Sequence, residues 1–510
     1  MMKRIVALLL AALLVFTGAA MAEGKTVSEE PVTLKYAVSE VPVSGCSYAD
    51  PLPVWKVLEE VTGVTIDWDV IPTEYQTVMS TRIASNSNLP DVMMDPGVSV
   101  STLMNGSVFA RLNDLIDAYG PNISRILGEN PALVAEMYTP DGSLCALPTR
   151  VFTMQNYSTN PMCFMVRRDW MKKVGIIDEP TTIEEWHALL QAFREKDPNG
   201  NGEKDETPFC TSLGMIRAFS EAWGLDPLTD FDVKDGQVRY QWTTEEARDF
   251  IATMAQWYAE GLIAPDYLTD RNLDARHLEN QTGASFMWAA SNCSWQNTNN
   301  TTPGTDWNLV PPPRNVYTGE EGFLPVAAKN LYESKTLITT VNDNAELAVK
   351  YINYLWSDEG TMYTCMGVEG DSYVYDENGE PVFTEKIQDG GNWFANTKAY
   401  GLNASPICRV NNYAFCKAQI AAYSDEINAK AASVLPYIRV SMPSYLASEE
   451  EDMVISIVYT DIKTYADEMI NKFITGGEPM DRFDSFVGKI ESMGLAEVVA
   501  VKQAQYDRNN

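Results

Sequence analysis

The chain has 510 residues, of which 45% are hydrophobic and 21% are charged, an ordinary globular composition. It carries 38 Lys and Arg against 70 Asp and Glu, a formal net charge of −32. An acidic surface repels nucleic acid and anionic lipid, so neither is an expected partner, and the length suits two or more lobes rather than one core.

The N-terminus has the pattern of a signal peptide. Lys3 and Arg4 precede an uncharged apolar run, and Ala20-Met21-Ala22 gives the small-x-small pattern of a cleavage site. We expect residues 1–22 to be removed on export, because the run is short for a retained membrane anchor, which is the alternative. No lipobox cysteine stands near the cleavage site, so the mature protein is expected in the extracellular space or the cell envelope.

The segment after this leader alternates between strand and helix patterns. Residues 32–38 and 64–70 have strand character, and residues 54–60 between them have helical spacing. Short links in a strand–helix–strand order predict a βαβ unit with parallel pairing. Another short strand is expected at residues 91–94.

The middle and the C-terminal third are mainly helical. Thr182 and Glu185 have the spacing of a capping box, and residues 243–246 repeat the device before another apolar face. Residues 299–322 are rich in Asn, Thr, Pro and Gly, which is the strongest internal linker signal. These patterns predict an α/β chain divided by a linker.

Residues 197–206 read Asp-Pro-Asn-Gly-Asn-Gly-Glu-Lys-Asp-Glu. Alternating oxygen-bearing side chains can converge around Ca²⁺, which takes about six to eight oxygen ligands. The expected ligands are the side chains of Asp197, Asn199, Asn201, Asp205 and Glu206, and the backbone carbonyl of Glu203. The loop departs from the EF-hand pattern, because Pro208 stands where that pattern has its final glutamate. We expect a structural Ca²⁺ here; a surface turn is the alternative.

The eight cysteines are dispersed and form no CxxC pair, which makes a zinc cluster improbable. Cys408 and Cys416 are closest in sequence and form the one disulfide pair that the spacing suggests. The alternative is that most cysteines are buried free thiols.

Several segments together resemble the extracellular solute-binding proteins of carbohydrate ABC importers, and most closely the alginate-binding and lipoprotein-type oligosaccharide receptors. They cover most of the mature chain. The segments are residues 168–176, beginning Arg168-Asp169-Trp170; Glu179-Pro180-Thr181-Thr182; Glu185-Trp186; the loop at 197–206; Leu89-Pro90-Asp91-Val92; residues 375–382; and residues 465–468, 473–477 and 493–495. The chain departs from many relatives in lacking the lipobox cysteine, which leaves open how it is retained at the surface.

The resemblance implies a type II periplasmic-binding-protein-like α/β fold, in which a hinge joins two lobes that close over a ligand. It implies one lobe from residues 31–152 plus 315–372, and a second from residues 153–314 plus 373–510 with the C-terminal helices. Crossings between lobes are expected near residues 150–158, 310–325 and 370–380. The implied partners are a carbohydrate and membrane permease subunits, and the protein is expected to be a monomer.

Sugars bind to aromatic platforms and to planar polar side chains. Aromatic residues set among Ser, Asn and Gly are the better candidates, whereas Trp186, Trp257 and Trp356 lie on helix patterns and are expected in the core. Core packing is the alternative for Trp288, and a helix cap is the alternative for Asp95. The expected ligand contacts are Trp288, Trp295, Trp393, Tyr48, Asp95 and Glu40.

Two other functions share these features. A secreted, calcium-containing, glycan-degrading enzyme needs two carboxylates across a cleft, which a sequence cannot locate without a fold. His187 and His277 are the only histidines, so a histidine-based triad has few options. A receptor of the same fold for a non-sugar solute is the other alternative. The order of elements and the absence of Gly-x-Ser-x-Gly and HExxH motifs favour a non-enzymatic receptor.

Overall fold

The structure is a computed structural model, and it describes most of the chain. The described residues are 26–40, 46–104, 108–152, 161–210, 215–269, 273–289, 293, 296–297, 300–327, 332–341, 343–388, 393–402, 407–420 and 425–509. The predicted signal peptide and Trp295 lie outside these residues, as does the side chain of Trp393. None of the helices in the described ranges is long and apolar enough to span a bilayer.

The secondary structure alternates between strands and helices in the first two thirds and is mainly helical after that. The strands are Val32–Ser39 (β1), Val64–Ile71 (β2), Val92–Met94 (β3), Leu147–Val151 (β4), Met162–Arg167 (β5), Thr207–Phe209 (β6), Phe231–Lys234 (β7), Gln237–Tyr240 (β8), Thr282–Trp288 (β9), Trp307–Val310 (β10), Leu324–Val326 (β11), Tyr332–Ile338 (β12), Tyr373–Tyr375 (β13), Pro381–Phe383 (β14), Arg409–Val410 (β15) and Ile438–Val440 (β16).

The α-helices are Pro53–Thr62 (α1), Tyr75–Ser85 (α2), Val100–Met104 (α3), Asn113–Tyr119 (α4), Pro121–Glu129 (α5), Pro131–Val134 (α6), Arg168–Val174 (α7), Ile183–Glu195 (α8), Glu245–Ala259 (α9), Leu273–Leu278 (α10), Ala345–Leu355 (α11), Asp358–Cys365 (α12), Glu385–Gln388 (α13), Trp393–Tyr400 (α14), Tyr413–Ile420 (α15), Asp425–Ser433 (α16), Glu449–Met453 (α17), Thr460–Thr475 (α18), Phe483–Ser492 (α19) and Leu495–Asn509 (α20). Short 3₁₀ segments lie at Met215–Trp223, Gln241–Thr243, Leu435–Tyr437 and Met480–Arg482, and a π-helical turn, Val454–Tyr459, joins α17 to α18.

Two sheets organise the molecule. The first has the strand order β15-β4-β12-β3-β1-β2, and the second has the order β10-β5-β9-β6. In the first sheet, β1 pairs in parallel with β2 and β3, which confirms the predicted βαβ unit, and β12 runs antiparallel to its neighbours β3 and β4. The α/β architecture expected from the sequence is therefore confirmed.

Each sheet lies in its own hydrophobic core. The first core collects residues from Leu34 to Val151 and from Val326 to Cys416, whereas the second collects residues from Cys163 to Leu324 and from Ile427 to Val498. The third change of core therefore lies between Cys416 and Ile427, not near residues 370–380 as expected. The reason is that β15 joins the edge of the first sheet beside β4, so the segment before it packs there.

The local signals of the sequence act as expected in most places. The capping box before α8 forms, since the Thr182 hydroxyl accepts the Glu185 N–H at 3.2 Å and the Glu185 carboxylate accepts the Thr182 N–H at 3.2 Å. Before α9 only a one-sided cap forms, in which the Thr244 hydroxyl accepts the Ala247 N–H. Strands β13 and β14 form the hairpin that the family resemblance implied.

The eight cysteines form no disulfide, and seven of them are buried. The suggested Cys408–Cys416 disulfide is therefore wrong. The Cys408 thiol interacts with Tyr36 and Thr336, whereas Cys416 on α15 lies near Cys365. Burial raises the pKa of Cys408 and of Cys416 to about 12, which keeps both as unreactive thiols.

Gly283 in β9 is expected to be intolerant of a side chain. A Cβ added there would lie 2.7 Å from Trp170 Cε3 and closer still to the Phe193 ring. Gly283→Ala should lower the free energy of unfolding by about 1–3 kcal/mol through overpacking. Gly128, near the end of α5 with open space around it, is the matched control, and Gly128→Ala should be neutral or stabilise by up to about 1 kcal/mol. Urea unfolding of both variants checks the pair, and equal effects would contradict the packing of β9 on α7 and α8.

Candidate functional site

The topology brings the ends of several strands to one edge of the first sheet. Strands β1, β3, β4 and β15 point the same way, because β1 is parallel to β3, β4 is parallel to β15, and β12 is antiparallel to both β3 and β4. The chain leaves the first lobe after β4 and again after β15, so this carboxyl-terminal edge faces the second lobe. Ligands of open α/β sheets gather at such edges.

The second sheet presents a matching edge. Met162, the first residue of β5 after the chain enters this lobe, pairs with Trp288, the last residue of β9. The edge that holds Trp288 is therefore the one next to the crossing. These two sheet edges are the candidate functional site.

Trp288 is the exposed indole of the second edge. Trp288 is 39% exposed, more than any other tryptophan whose side chain the structure describes. Trp186, Trp257 and Trp356 are buried, as the helix patterns predicted. The Trp288 ring offers flat apolar area at the strand end, which a ligand of matching shape can contact.

On the first edge, Glu40 follows β1 and is held by hydrogen bonds and an ion pair. Its carboxylate accepts the Ser47 hydroxyl, the Tyr48 N–H at 3.2 Å and the Lys398 ammonium at 2.8 Å. Lys398 comes from α14 and is fully buried, and its Nζ lies 4.3 Å from the centre of the Tyr48 ring. The ion pair therefore ties α14 to the end of β1.

The environment of Glu40 favours its charged form. Burial alone would raise the pKa of Glu40, but the hydrogen bonds from Lys398 and Ser47 outweigh it and hold the pKa below its ordinary value. The carboxylate is therefore ionised at neutral pH.

Tyr48 and Asp95, two of the predicted ligand contacts, do not present open side chains to the sheet edge as expected. Tyr48 is 1% exposed and lies under Lys398, so its ring is a buried wall rather than an open platform. Asp95 accepts the N–H groups of Gly97 and Val98 at 2.8 and 3.2 Å. These bonds belong to a turn before α3, which begins only at Val100, so Asp95 is not the cap of that helix. Trp393 begins α14.

Sequence reasoning missed the basic residues of this edge. Arg150 in β4 and Arg409 in β15 are register partners, and both are buried. The Arg409 guanidinium donates to the carbonyls of Thr364 and Leu402 and lies 5.5 Å from the Phe415 ring. The available signal was a lone charge inside an apolar run, Ile407-Cys408-Arg409-Val410, which is uncommon unless the charge has a buried role.

The loop at 197–206 is a tight curl held by its own hydrogen bonds. The Asp197 carboxylate accepts three backbone N–H groups, from Gly200, Asn201 and Gly202, at 2.8–3.1 Å. Gly200 and Gly202 both have positive φ angles, which glycine tolerates, so the sequence dictates the curl. Asn199 and Asn201 each donate an amide N–H to the Asp205 carboxylate at 2.9–3.1 Å.

The carboxylate of Glu206 is buried in this loop without the donors that a buried carboxylate needs. Glu206 is 2% exposed, and among the described residues neither carboxylate oxygen has a hydrogen-bond partner. Burial, with the nearby carboxylates of Asp205 and Asp197, raises the pKa of Glu206. An orphaned, buried carboxylate beside two others is the environment that a bound cation corrects, and hard oxygen donors of this kind suit Ca²⁺. Within the described ranges, no group of three or more His, Cys, Asp or Glu side chains is close enough to hold a metal. Part of the reason is that two of the expected ligands are asparagines, which now turn their amide N–H groups inward.

Residues 56–373 match the family of bacterial extracellular solute-binding proteins. Among curated proteins, the chain is 25% identical over 507 residues to the fructooligosaccharide ABC transporter substrate-binding protein FusA of Streptococcus pneumoniae, covering 94% of this chain and 91% of FusA. Among solved structures, it resembles the alginate-binding protein AlgQ2 without calcium ion, with a TM-score of 0.71, 23% identity, and coverage of 95% of this chain and 100% of AlgQ2. It also resembles the S. pneumoniae FusA EF-hand mutant in complex with fructo-nystose, with a TM-score of 0.68, 23% identity, and coverage of 93% and 99%.

The Glu40–Lys398 pair is expected to stabilise the first lobe. Lys398→Met leaves a half-buried carboxylate without its cation and should lower the free energy of unfolding at pH 7 by about 3 kcal/mol. Because the folded-state pKa of Glu40 is lowered, its contribution is present above the ordinary glutamate pKa of about 4.3 and is lost as the pH falls through the lowered value. The difference between variant and wild type should therefore shrink in acid, as measured by urea unfolding from neutral to acid pH.

Lys386→Met is the matched control. Lys386 on α13 pairs with Asp371 at 2.8 Å, but both side chains are about half exposed, so its loss should cost less than about 1 kcal/mol. An equal cost in the two variants, or a difference that does not change with pH, would contradict the account of Lys398.

Proposed function

The chain belongs to the bacterial extracellular solute-binding protein family, and on that premise we propose that it is the extracytoplasmic binding component of an ABC importer for a carbohydrate. The ligand class proposed is an oligosaccharide, held between the two lobes. Support comes from the named ligands of its relatives, a fructooligosaccharide for FusA and alginate for AlgQ2. The observation that carries the proposal is the exposed Trp288 at a sheet edge facing the first lobe.

The chemistry of the two edges suits a sugar. The C–H face of a pyranose or furanose ring can stack on the Trp288 indole, which supplies apolar area without needing a hydrogen bond. Sugar hydroxyls can donate hydrogen bonds to a carboxylate such as that of Glu40, which is ionised at neutral pH. Tyr48 and Asp95 then act by shaping and supporting this edge, and Trp295 and Trp393 remain predicted contacts.

The proposed working cycle is one of binding without chemical change. An oligosaccharide enters between the open lobes, the lobes close by hinge motion, and the closed form docks on membrane permease subunits. The sequence has no P-loop, so ATP hydrolysis falls to a separate subunit. The relatives described above are binding proteins, which favours this cycle over glycan cleavage.

We also propose that the loop at 197–206 holds a structural Ca²⁺. The ligands are the oxygens of Asp197, Asn199, Asn201, Asp205 and Glu206 with the Glu203 carbonyl. Rotation of the two asparagine amides would turn their oxygens inward. The unpartnered Glu206 carboxylate supports the assignment, as do relatives whose structures concern a calcium ion or an EF-hand. Bound Ca²⁺ supplies charge neutralisation for the loop between α8 and β6.

The remaining parts of the proposal concern the whole chain. Residues 1–22 direct export and are removed, and the mature protein acts as a monomer outside the cytoplasm. The first lobe is built on the β1–β4, β12 and β15 sheet, and the second lobe is built on the β5, β6, β9 and β10 sheet with the C-terminal helices.

A panel of oligosaccharides should contain at least one that raises the melting temperature, because a ligand bound only to the folded state adds stability. The panel should include neutral fructans such as kestose and nystose, together with acidic oligouronates. For that ligand, Trp288→Ala should weaken binding about tenfold, the scale of one lost aromatic contact. Isothermal titration calorimetry measures the affinity.

Tyr317→Ala is the control, since Tyr317 is a second exposed aromatic residue that belongs to neither sheet edge. Its affinity should equal that of the wild type. A panel with no stabilising saccharide, or release of reducing sugar from any member, would overturn the proposed function.

Calcium removal should lower the melting temperature, and addition of CaCl₂ should restore it. At a free Ca²⁺ concentration of about one hundred times Kd, the bound ion adds about 2.7 kcal/mol. Glu206→Gln should abolish this response. Glu203→Gln should leave it intact, because the Glu203 side chain is exposed and only its carbonyl is assigned to the ion. Absence of metal by elemental analysis, together with a melting temperature unaffected by chelation, would contradict the calcium assignment.

A further inference from the structure

A short ribbon of two strands connects the lobes. Strands β11 and β16 pair in parallel, with Leu324 opposite Ile438 and Val326 opposite Val440. Leu324 belongs to the second core and Val326 to the first, and Ile438 packs against both. Both strands therefore run from the second lobe to the first. A two-stranded ribbon this short has little stability of its own, so its direction depends on what holds its two ends.

A buried glutamate holds the end in the second lobe. Glu221, on the 3₁₀ segment Met215–Trp223, is 1% exposed, and its Oε2 accepts the N–H of Phe323 at 3.0 Å. Phe323 is the residue immediately before β11. Its ring lies 5.0 Å from the guanidinium carbon of Arg439, which is in β16. The hydrogen bond to Glu221 therefore fixes the start of β11, and the Phe323 ring in turn contacts β16 through Arg439.

The approach of the chain to Glu221 is tight. A Cβ added to Gly322 would lie 2.6 Å from Glu221 Oε2 and closer still to the carbonyl oxygen of Pro313. Only glycine allows the backbone to come this near. The start of the ribbon is therefore fixed to the second lobe by a hydrogen bond and by close packing.

A second buried glutamate holds the other end. Glu136, in the turn after α6 of the first lobe, is 5% exposed, and its Oε1 accepts the N–H of Ser444 at 2.9 Å. Ser444 lies shortly after β16. The Ser441 N–H continues the ribbon by donating to the Val326 carbonyl at 2.9 Å. The ribbon thus has one carboxylate from each lobe at its two ends.

Beside the ribbon the lobes do not fill the space between them. A cavity of about 210 Å³ is lined by Glu136, Ala327 and Ser441 on one side and by Arg217, Asp230 and Tyr459 on the other. Close packing therefore does not by itself set the angle between the lobes at this place, since voids leave neighbouring groups room to move.

We propose that Glu221 and Glu136 are positioning residues of the hinge, which confine bending to residues 324–327 and 438–443 and so set the resting angle of the lobes. The inference rests on the lobe closure of the proposed function. It deepens that function by assigning the pivot to two carboxylates. A glutamate suits the task because its side-chain oxygen can reach a backbone N–H and accept a hydrogen bond from it, which an apolar side chain of the same size cannot do.

The surroundings of Glu221 decide which substitutions test its role. Burial raises the pKa of Glu221 well above its usual range, against the opposing effects of the Phe323 N–H and Arg439. The neutral amide of Glu221→Gln can still accept from Phe323, so this variant should keep the anchor. Glu221→Leu has nearly the same volume but no acceptor, and should release it.

The test measures the distance between the lobes without any ligand, so it does not depend on the identity of the solute. Spin labels at Ile177→Cys in the second lobe and Val341→Cys in the first, both exposed positions, report the distance distribution by double electron–electron resonance. A Cys46→Ser background removes the one native cysteine that is not buried. Glu221→Leu and Glu136→Leu should each shift the distance distribution or increase its width about twofold. The reason is that the free energy of the lost hydrogen bond exceeds thermal energy, so the lobes sample more angles without it. The two Gln variants should restore it.

The control is Glu451→Leu. Glu451 accepts the Ser448 N–H at 2.8 Å and pairs with Arg508, but it lies at the start of α17 and not on the ribbon. It should lose stability without a change in the distance distribution. Two folded Leu variants with the wild-type distribution, or the same change in Glu451→Leu, would overturn the inference. If Glu221→Leu does not fold, Glu136→Leu decides the question alone. A wild-type chain that keeps one narrow distance and binds no saccharide would instead count against lobe closure itself.

Discussion

The structure depends on where its few buried carboxylates find partners. Removing a carboxylate from water is costly unless donors or a cation replace the water, and this chain has many carboxylates with little reason to bury any of them. Among the described residues, Glu40, Glu136 and Glu221 nevertheless have such donors, and each lies at a junction. Glu40 joins β1 to α14, and Glu221 and Glu136 hold the two ends of the ribbon between the lobes. Polar contacts at these junctions supply direction, which the surrounding apolar packing does not.

Much of the fold could be predicted because its signals are local. The βαβ unit followed from strand and helix periods that are close in sequence, and the cap before α8 followed from Thr182 and Glu185. The third crossing was misplaced for the opposite reason. Strand β15 has only two residues, Arg409 and Val410, and its partner β4 lies far earlier in the chain. No period or turn signal in a segment that short reveals which lobe it joins.

The candidate site shows the same difference between local features, which the sequence reveals, and long-range contacts, which it does not. Trp288 could be predicted because it ends a strand in a run of small polar residues, and it proves to be exposed at the sheet edge. Glu40 could be placed after β1, but its partner Lys398 is 358 residues away in sequence. The residues around Glu40 contain no pattern that predicts this ion pair. Tyr48 looked like a platform in sequence because exposure cannot be read from composition, and a lysine covers its ring. Pairings between distant segments are a property of the assembled lobe.

The unpaired cysteines have a consequence for how this protein matures. Small exported domains often rely on cross-links, but this chain buries enough apolar surface in two cores to fold without them. Seven of its eight thiols are buried and none is cross-linked, so the polypeptide needs no oxidant to reach its native state. A reducing solution therefore removes no covalent link from the folded protein and leaves its stability unchanged.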